Sequence, residues 1–282
     1  MASSEFINKV EVLFDGFSRM EAEGSSVMYA NCSCSLVIGE DVKIIVDTMT
    51  PWDGPRLLNA LAKRGITPDE ITHAVATHGH SDHIGNLNHF LKAKHIIGTS
   101  MNYGEIYYDV LQNGTSLKLA RGIEVVPTPG HTASCVTVIA LGTEKGTIAI
   151  TGDLFETRQD VFDPHIWEHQ AGSENPVQQA QNRQKVLRIA NYIIPGHGPM
   201  FEVTEEMRSF HDNYVRQMRS QYMNTSLASV ERLRRNQELE PRQPQKPSDS
   251  GDDEHPNGDY ENANQGRDEK VPEVEELHHN RL

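Results

Sequence analysis

Short apolar runs alternate with polar, glycine-punctuated segments over most of the chain, and the runs fall into two strand-rich stretches. Residues 10–14, 31–38 and 42–47 are rich in β-formers, with Gly39, Glu40 and Asp41 supplying a hairpin turn between the last two. Residues 55–64 carry a helical period, closed by Gly65. Residues 70–77, "EITHAVAT", read as a buried strand that ends in a histidine-rich segment. Further strands are predicted at residues 95–98, 123–128, 134–141 and 147–151, with Pro129-Gly130 and residues 142–146 as turns. A helix follows at residues 176–189, then a short strand and loop, "YIIPGHG". A long helix is predicted over residues 204–234, with Thr204 as N-cap and Glu205 and Glu206 in its first turn. Two strand-rich halves, residues 10–77 and 123–194, each with helices between strands, predict an α/β fold. Two sheets would pack face to face with helices outside.

The pattern stops near residue 235. Residues 235–282 are rich in Pro, Asp, Glu, Asn and Gln and hold 13 Asp/Glu against 6 Lys/Arg. That composition cannot bury a core, so a disordered acidic tail is expected after one catalytic domain at residues 1–234. The tail carries half of the net charge of −14. An acidic balance counts against a polyanion as substrate, because phosphate contacts need Lys and Arg. Three cysteines, Cys32, Cys34 and Cys135, do not make a disulfide framework and fit a reducing compartment. No signal peptide and no membrane-spanning run are expected.

The candidate chemistry lies in "THGHSDHIG", residues 77–85, which packs His78, His80, Asp82 and His83 into six positions. Imidazole and carboxylate together suit zinc or iron. His78 and His80, two apart on an extended segment, can face one way, while Asp82 and His83 face a second ion. Three more segments end strands with a single candidate ligand: His131 in "TPGHTASC", Asp153 in "AITGDLFE" and His197 in "IIPGHGP". Any one of them is unremarkable on a turn; four such segments in this order are not.

This order resembles the metallo-β-lactamase superfamily, whose signature His-x-His-x-Asp-His is followed by a His, an Asp and a last His. The resemblance spans residues 10–207. It implies an αββα sandwich of two mixed β-sheets flanked by helices, and two Zn²⁺ per chain, with iron or manganese as alternatives. His78, His80 and His131 would hold one ion and Asp82, His83 and His197 the other. Asp153 would bridge them, and Asp82 would also serve catalysis. Two ions about 3.5–4 Å apart convert a shared water into a hydroxide that attacks carbonyl or phosphorus. Thr77, Ser81 and Thr132 are candidates to orient the ligands, and His165, His169 and Tyr103 to protonate the leaving group.

Branches of the family differ in what surrounds this set. Members that hydrolyse β-lactams use a Cys at one second-site position, so Asp153 argues against that reaction. The glyoxalase II branch adds C-terminal helices that contact glutathione; Tyr214, Arg216, Arg219 and Tyr222 could imitate them. The large inserted domain of RNA-cleaving branches and the flavodoxin domain of flavin-linked members are not seen. The segments "THGHSDHIGNL", "TPGHT" and "PGHGP", with Gly85-Asn86 after the motif, are similar to those of one small eukaryotic-type member. That likeness implies an endoribonuclease that processes histone pre-mRNA 3′ ends in cytosol and nucleus. The alternative is a glyoxalase II-like thioester or ester hydrolase of a small molecule. A non-catalytic metal-binding scaffold is disfavoured by the complete ligand set. No membrane partner is expected, and a homodimer is left open.

Overall fold

A computed structural model describes residues 7–22, 24–111 and 114–221. The chain runs through β1 (Lys9–Phe14), β2 (Phe17–Met20), β3 (Met28–Asn31), β4 (Cys34–Ile38), β5 (Lys43–Val46) and helix α1 (Gly54–Ala62). It continues through β6 (His73–Ala76), the short helix α2 (Ser81–Ile84), β7 (Lys94–Ile97), β8 (Ser100–Tyr103) and β9 (Ile106–Tyr108). The second half contains β10 (Leu117–Ala120), β11 (Ile123–Pro127), β12 (Val136–Thr143), β13 (Gly146–Gly152), α3 (Pro176–Ile189), β14 (Tyr192–Pro195) and β15 (Phe201–Glu202). A last helix, α4, begins at residue 205 and is described to residue 221.

The strands form two mixed sheets. One has the order β1-β4-β5-β6-β7-β8-β9, the other β10-β11-β12-β13-β14-β15. In the first, β5, β6 and β7 are parallel neighbours; in the second, β13 and β14 are. The faces that meet carry Val37, Ile44, Val46, Val75 and Ile96 from one sheet. Val125, Val138, Ala140, Ile148, Ile150 and Ile194 face them from the other. The outer face of the first sheet, Leu36, Ile45 and Ala74, is covered by Leu57 and Leu61 of α1. The outer face of the second, Ile139, Ala149 and Ile193, is covered by Val186 and Leu187 of α3 and Met207 of α4. This is the αββα sandwich expected. Central strands buried on both faces read as continuous apolar runs for this reason. Among the described residues no helix is long and apolar enough to cross a membrane.

Two departures from expectation shape the site. The run at residues 31–38 is not one strand. Met28–Asn31 pairs with Phe17–Met20 as a separate hairpin, and only Cys34–Ile38 joins the large sheet. Between them the Ser33 N–H donates to Gly196 O (2.6 Å) and Ser33 Oγ donates to Gly198 O (3.0 Å). The break ties the hairpin's root to the loop bearing His197. The strand expected at 70–77 is shorter, His73–Ala76, because Pro68–Glu70 forms a 3₁₀ turn closed by the Thr67–Glu70 capping box. Strands β2, β8, β9, β10 and β15 were not expected; they are two to four residues long and mixed in polarity, so they carry no period. The part of the long helix beyond residue 221, and the boundary and disorder expected at 234/235, lie outside the described residues.

Helix α4 is docked through His211, which is 1% exposed and donates from Nε2 to Ala180 O of α3 (2.9 Å). Burial, with the nearby Arg183 charge, depresses its pKa to about 3. The folded value lies below the unfolded one of about 6.5, so the contribution is complete above pH 6.5 and is lost as pH falls toward 3. From this group alone, stability should fall by about 1.4 kcal/mol per pH unit below pH 6.5. Denaturant unfolding at pH 7 and pH 5 is expected to show a loss about 2 kcal/mol smaller in His211→Gln than in the unsubstituted protein.

Candidate metal centre

The candidate donors stand on loops at one end of the sandwich. The segment after β6 crosses the sheet end, burying His78 and leaving His80 exposed as the N-cap of α2, whose first turn presents Asp82 and His83. His131 follows β11 through Pro129-Gly130; a Cβ on Gly130 would strike the Gln179 backbone of α3, so glycine permits that approach. Asp153 ends β13 directly after Gly152, which adopts φ +50° against the Thr77 side chain. His197 lies just past β14. The preceding Gly196 N–H donates to Gly152 O (3.0 Å), and a Cβ at Gly196 would meet the Asp153 carboxylate.

All seven side chains singled out in the sequence converge. His80 Nδ1 lies 2.8 Å from His78 Nε2 and 3.2 Å from His131 Nε2. Asp153 Oδ2 is 3.4 Å from His78 Nε2 and 3.5 Å from His131 Nε2. Beside this group, Asp82 Oδ2 is 3.9 Å from both His83 Nε2 and His197 Nε2. Asp153 faces that pair too, with Oδ1 3.3 Å from His83 and Oδ2 3.4 Å from His197. Donors about 2.0–2.1 Å from a tetrahedral ion are about 3.3–3.4 Å apart, and most of these separations fall close to that. Each group could hold a metal ion, and Asp153, 3.3 to 3.5 Å from imidazoles of both, stands between them.

Two carboxylates complete the picture that the sequence did not single out. Asp47, at the end of β5, has φ 58°, a conformation that Asp tolerates better than most residues. Its Oδ1 accepts the Thr77 N–H (2.7 Å), and Oδ2 lies 3.0 Å from Thr77 Oγ1 and 3.0 Å from His83 Nδ1. Thr77 Oγ1 also contacts His78 Nδ1 (3.2 Å) and His83 Nδ1 (3.3 Å). The signal for Asp47 was its place at the end of an apolar strand, shared by too many residues to single it out. Thr77, one of the three residues expected to orient ligands, thus touches two of the candidate rings. Ser81 is exposed, and Thr132 is bound to Cys135 Sγ (3.1 Å). Glu156, three residues after Asp153, is the second carboxylate; its Oε2 is 3.8 Å from His197 Nε2.

The charges are strongly coupled to this geometry. Burial opposes charge on His83, but Asp153 and Asp47 outweigh it and hold its pKa well above the usual imidazole value. Burial also disfavours the Asp153 carboxylate, yet His83, His197 and His78 keep it well below the usual range. Burial and the neighbouring His83 push His78 down. His83 Nε2, Asp153 Oδ1 and Glu156 Oε1 are buried without any hydrogen-bond partner. Orphaned imidazole and carboxylate atoms around one centre are what a divalent cation satisfies, so these residues fit a metal.

A cavity of about 230 Å³ opens over the donors, walled by Met20, Met28 and Ala30 of the β2–β3 hairpin and by Ile166 and Gln170. A groove of about 520 Å³, between Phe17, Arg158 and Phe162, shares Ser18 and His197 with it. Of the residues foreseen as proton donors, His165 and His169 stack on each other (5.0 Å) beside Ile166, both exposed, and Tyr103 does not line the cavity. Tyr214 bonds Glu168 and packs on Trp167; Arg216 and Arg219 are exposed, and none of the three lines the cavity. Tyr222 lies outside the described residues.

Comparison with known proteins agrees with this arrangement. Residues 29–102 match the model of the metallo-β-lactamase superfamily. The chain is 38% identical over 208 residues to metallo-β-lactamase domain-containing protein 1 of Xenopus laevis, covering 70% of this chain and 82% of that one. It is 42% identical over 166 residues to the protein of that name from Homo sapiens, covering 58% of this chain and 60% of that one. Among solved structures, a Thermotoga maritima protein described as a metallo-β-lactamase superposes with a TM-score of 0.51 at 19% identity. The match covers 69% of this chain and all but 1% of that one.

Asp47→Asn tests the orienting network. An amide accepts at only one of its two terminal atoms, so it cannot serve the Thr77 N–H and His83 alike, while Asn tolerates the left-handed backbone. Divalent-ion affinity, measured by competition with a chromophoric chelator, is expected to fall about 10–100-fold with circular dichroism unchanged. Unaltered affinity would remove Asp47 from the centre.

Proposed function

The chain belongs to the metallo-β-lactamase superfamily of metal-dependent hydrolases, and on that premise we propose a two-zinc endoribonuclease that cuts RNA phosphodiesters, with histone pre-mRNA 3′ ends as the substrate expected from its resemblance. His78, His80 and His131 would hold one ion, Asp82, His83 and His197 the other, and Asp153 both. Two such ions lower the pKa of a shared water and draw charge from the bond under attack. Asp47 and Thr77 keep the rings of His78 and His83 turned inward. Asp82, 18% exposed, is the donor carboxylate most open to the cavity, placed to accept a hydrogen bond from the attacking water and orient it. We expect it, by the same resemblance, in cytosol and nucleus.

The observation that carries the phosphodiester reading is the cleft beside the donors. Arg19 lines the cavity and Arg158 the adjoining groove, and neither forms an ion pair among the described residues. Arg19 lies over the Tyr29 ring (5.0 Å), and Phe17 and Tyr29 are exposed. Arginines without an ion pair beside exposed aromatic rings suit a strand of phosphates and stacked bases, even on an acidic chain. A second reading, hydrolysis of a small thioester or ester, is favoured by the inner cavity. At about 230 Å³, with Met20, Met28, Ala30 and Ile166 on its walls, it suits an apolar arm.

Purified protein is expected to cut end-labelled single-stranded RNA bearing a histone 3′-end sequence. A chelator should abolish cleavage, and Asp82→Ala should reduce it about 100-fold or more. Turnover of glutathione thioesters without RNA cleavage would replace the first reading with the second. Neither activity in fully metallated protein would defeat both.

A further inference from the structure

Glu156 is 3% exposed, yet among the described residues no Lys or Arg forms an ion pair with it. The other buried carboxylates among the described residues have partners outside the proposed ligand pairings or are themselves central to them. Asp160 is gripped by Arg183 Nη2 and Nη1 (2.8 and 3.0 Å), and Asp47 accepts the Thr77 N–H. Asp153 lies among the imidazoles. Glu156 Oε1 has no hydrogen bond; the groups of opposite potential charge near the carboxyl are His197 Nε2, 3.8 Å from Oε2, and His131 Nδ1, 4.0 Å from Oε1, both beyond hydrogen-bond reach.

The side chain is aimed into the centre by its backbone. The Glu156 N–H donates to Asp160 Oδ2 (2.6 Å), and its C=O accepts the His197 N–H (2.7 Å). Asp160 is in turn fixed by buried Arg183, whose guanidinium lies over Phe155 and Trp167. This mount leaves the carboxylate lining the same cavity as Asp82, Asp153 and His197. One donor atom each from Asp153, Glu156 and His197 falls within 4.8 Å of the others. A buried anion without a partner is costly, and an ion held by its neighbours removes that cost.

We propose that Glu156 is an eighth donor, completing a carboxylate-rich second site with Asp82, His83, Asp153 and His197. The proposal rests on the two-ion reading above. It makes the two sites unlike: three imidazoles and the shared Asp153 in one, two imidazoles and three carboxylates in the other. The second site is the harder and more anionic, so it tolerates manganese or ferrous iron in place of zinc better than the first does.

The test is metal titration of the whole chain with Zn²⁺ alone and Mn²⁺ alone, read by competition with a chelator and by elemental analysis. In Glu156→Gln the weaker-bound ion is expected to lose about 10–100-fold in affinity while the tighter one is unchanged, and Mn²⁺ should suffer more than Zn²⁺. Asp82→Ala serves as the control that weakens the same ion. Without metal the buried carboxyl has no cation to pair with, so Glu156→Gln should unfold at the same or a higher temperature. Unchanged affinity for both ions in Glu156→Gln would overturn the proposal and mark a carboxyl that is protonated instead. Loss of both ions with a lower metal-free Tm would overturn it in favour of a structural role. A single ion in the unsubstituted protein would instead defeat the two-ion reading itself.

Discussion

The Asp153 carboxylate lies almost wholly out of water with imidazole nitrogens of His78, His83, His131 and His197 3.3 to 3.5 Å away. An isolated charge in such a place would be expelled or neutralised. Here the imidazoles and the ions they would hold offset the desolvation, and four chain segments must end at one point for that to happen. The glycines around Asp153 follow from the same requirement. Gly152 and Gly196 lie so close to Thr77 and to the carboxylate that a Cβ has no room.

The sandwich supplies the rigidity this crowding needs. Strands β6, β13 and β14 are packed on both faces, so the residues that leave their ends have little freedom. Asp47 and Thr77, from neighbouring strands β5 and β6, then lock the ring orientations of two histidines. On the other side the Arg183–Asp160 pair anchors the turn that follows Asp153. Buried ion pairs add little net stability, but they hold one geometry, and here the geometry is that of the loop bearing Glu156.

Recognition of the substrate is built from different material. The β2–β3 hairpin has its residues largely exposed, and it is tied to the centre at its root, through Ser33 and through Asn31 O, which accepts from His197 Nδ1 (3.1 Å). Its Met20, Met28 and Arg19 line the cavity over the donors, and in the proposed function they would select what approaches while the donors would act on it. Catalytic groups on strand ends and specificity groups on a separate hairpin are the division expected where one chemistry serves many substrates.

The sequence by itself determined the two strand-rich halves, the helices at α1 and α3 and the seven convergent side chains. Continuous apolar runs reveal doubly buried strands, and four candidate ligands within six residues have no ordinary packing explanation. It could not single out Asp47, Glu156 or Arg19. Each is a common residue in an unexceptional local setting, and its meaning comes from partners far away in sequence: Thr77 and His83, His197, and the cavity wall. Nor could it find β3, of which only Asn31 falls in the run read as a strand, since the break at Ser33 is made by hydrogen bonds to Gly196 and Gly198. Local spacing encodes which side chains are candidates. Only the tertiary structure, through long-range hydrogen bonds and burial, decided which of them face one another and what charge each must bear.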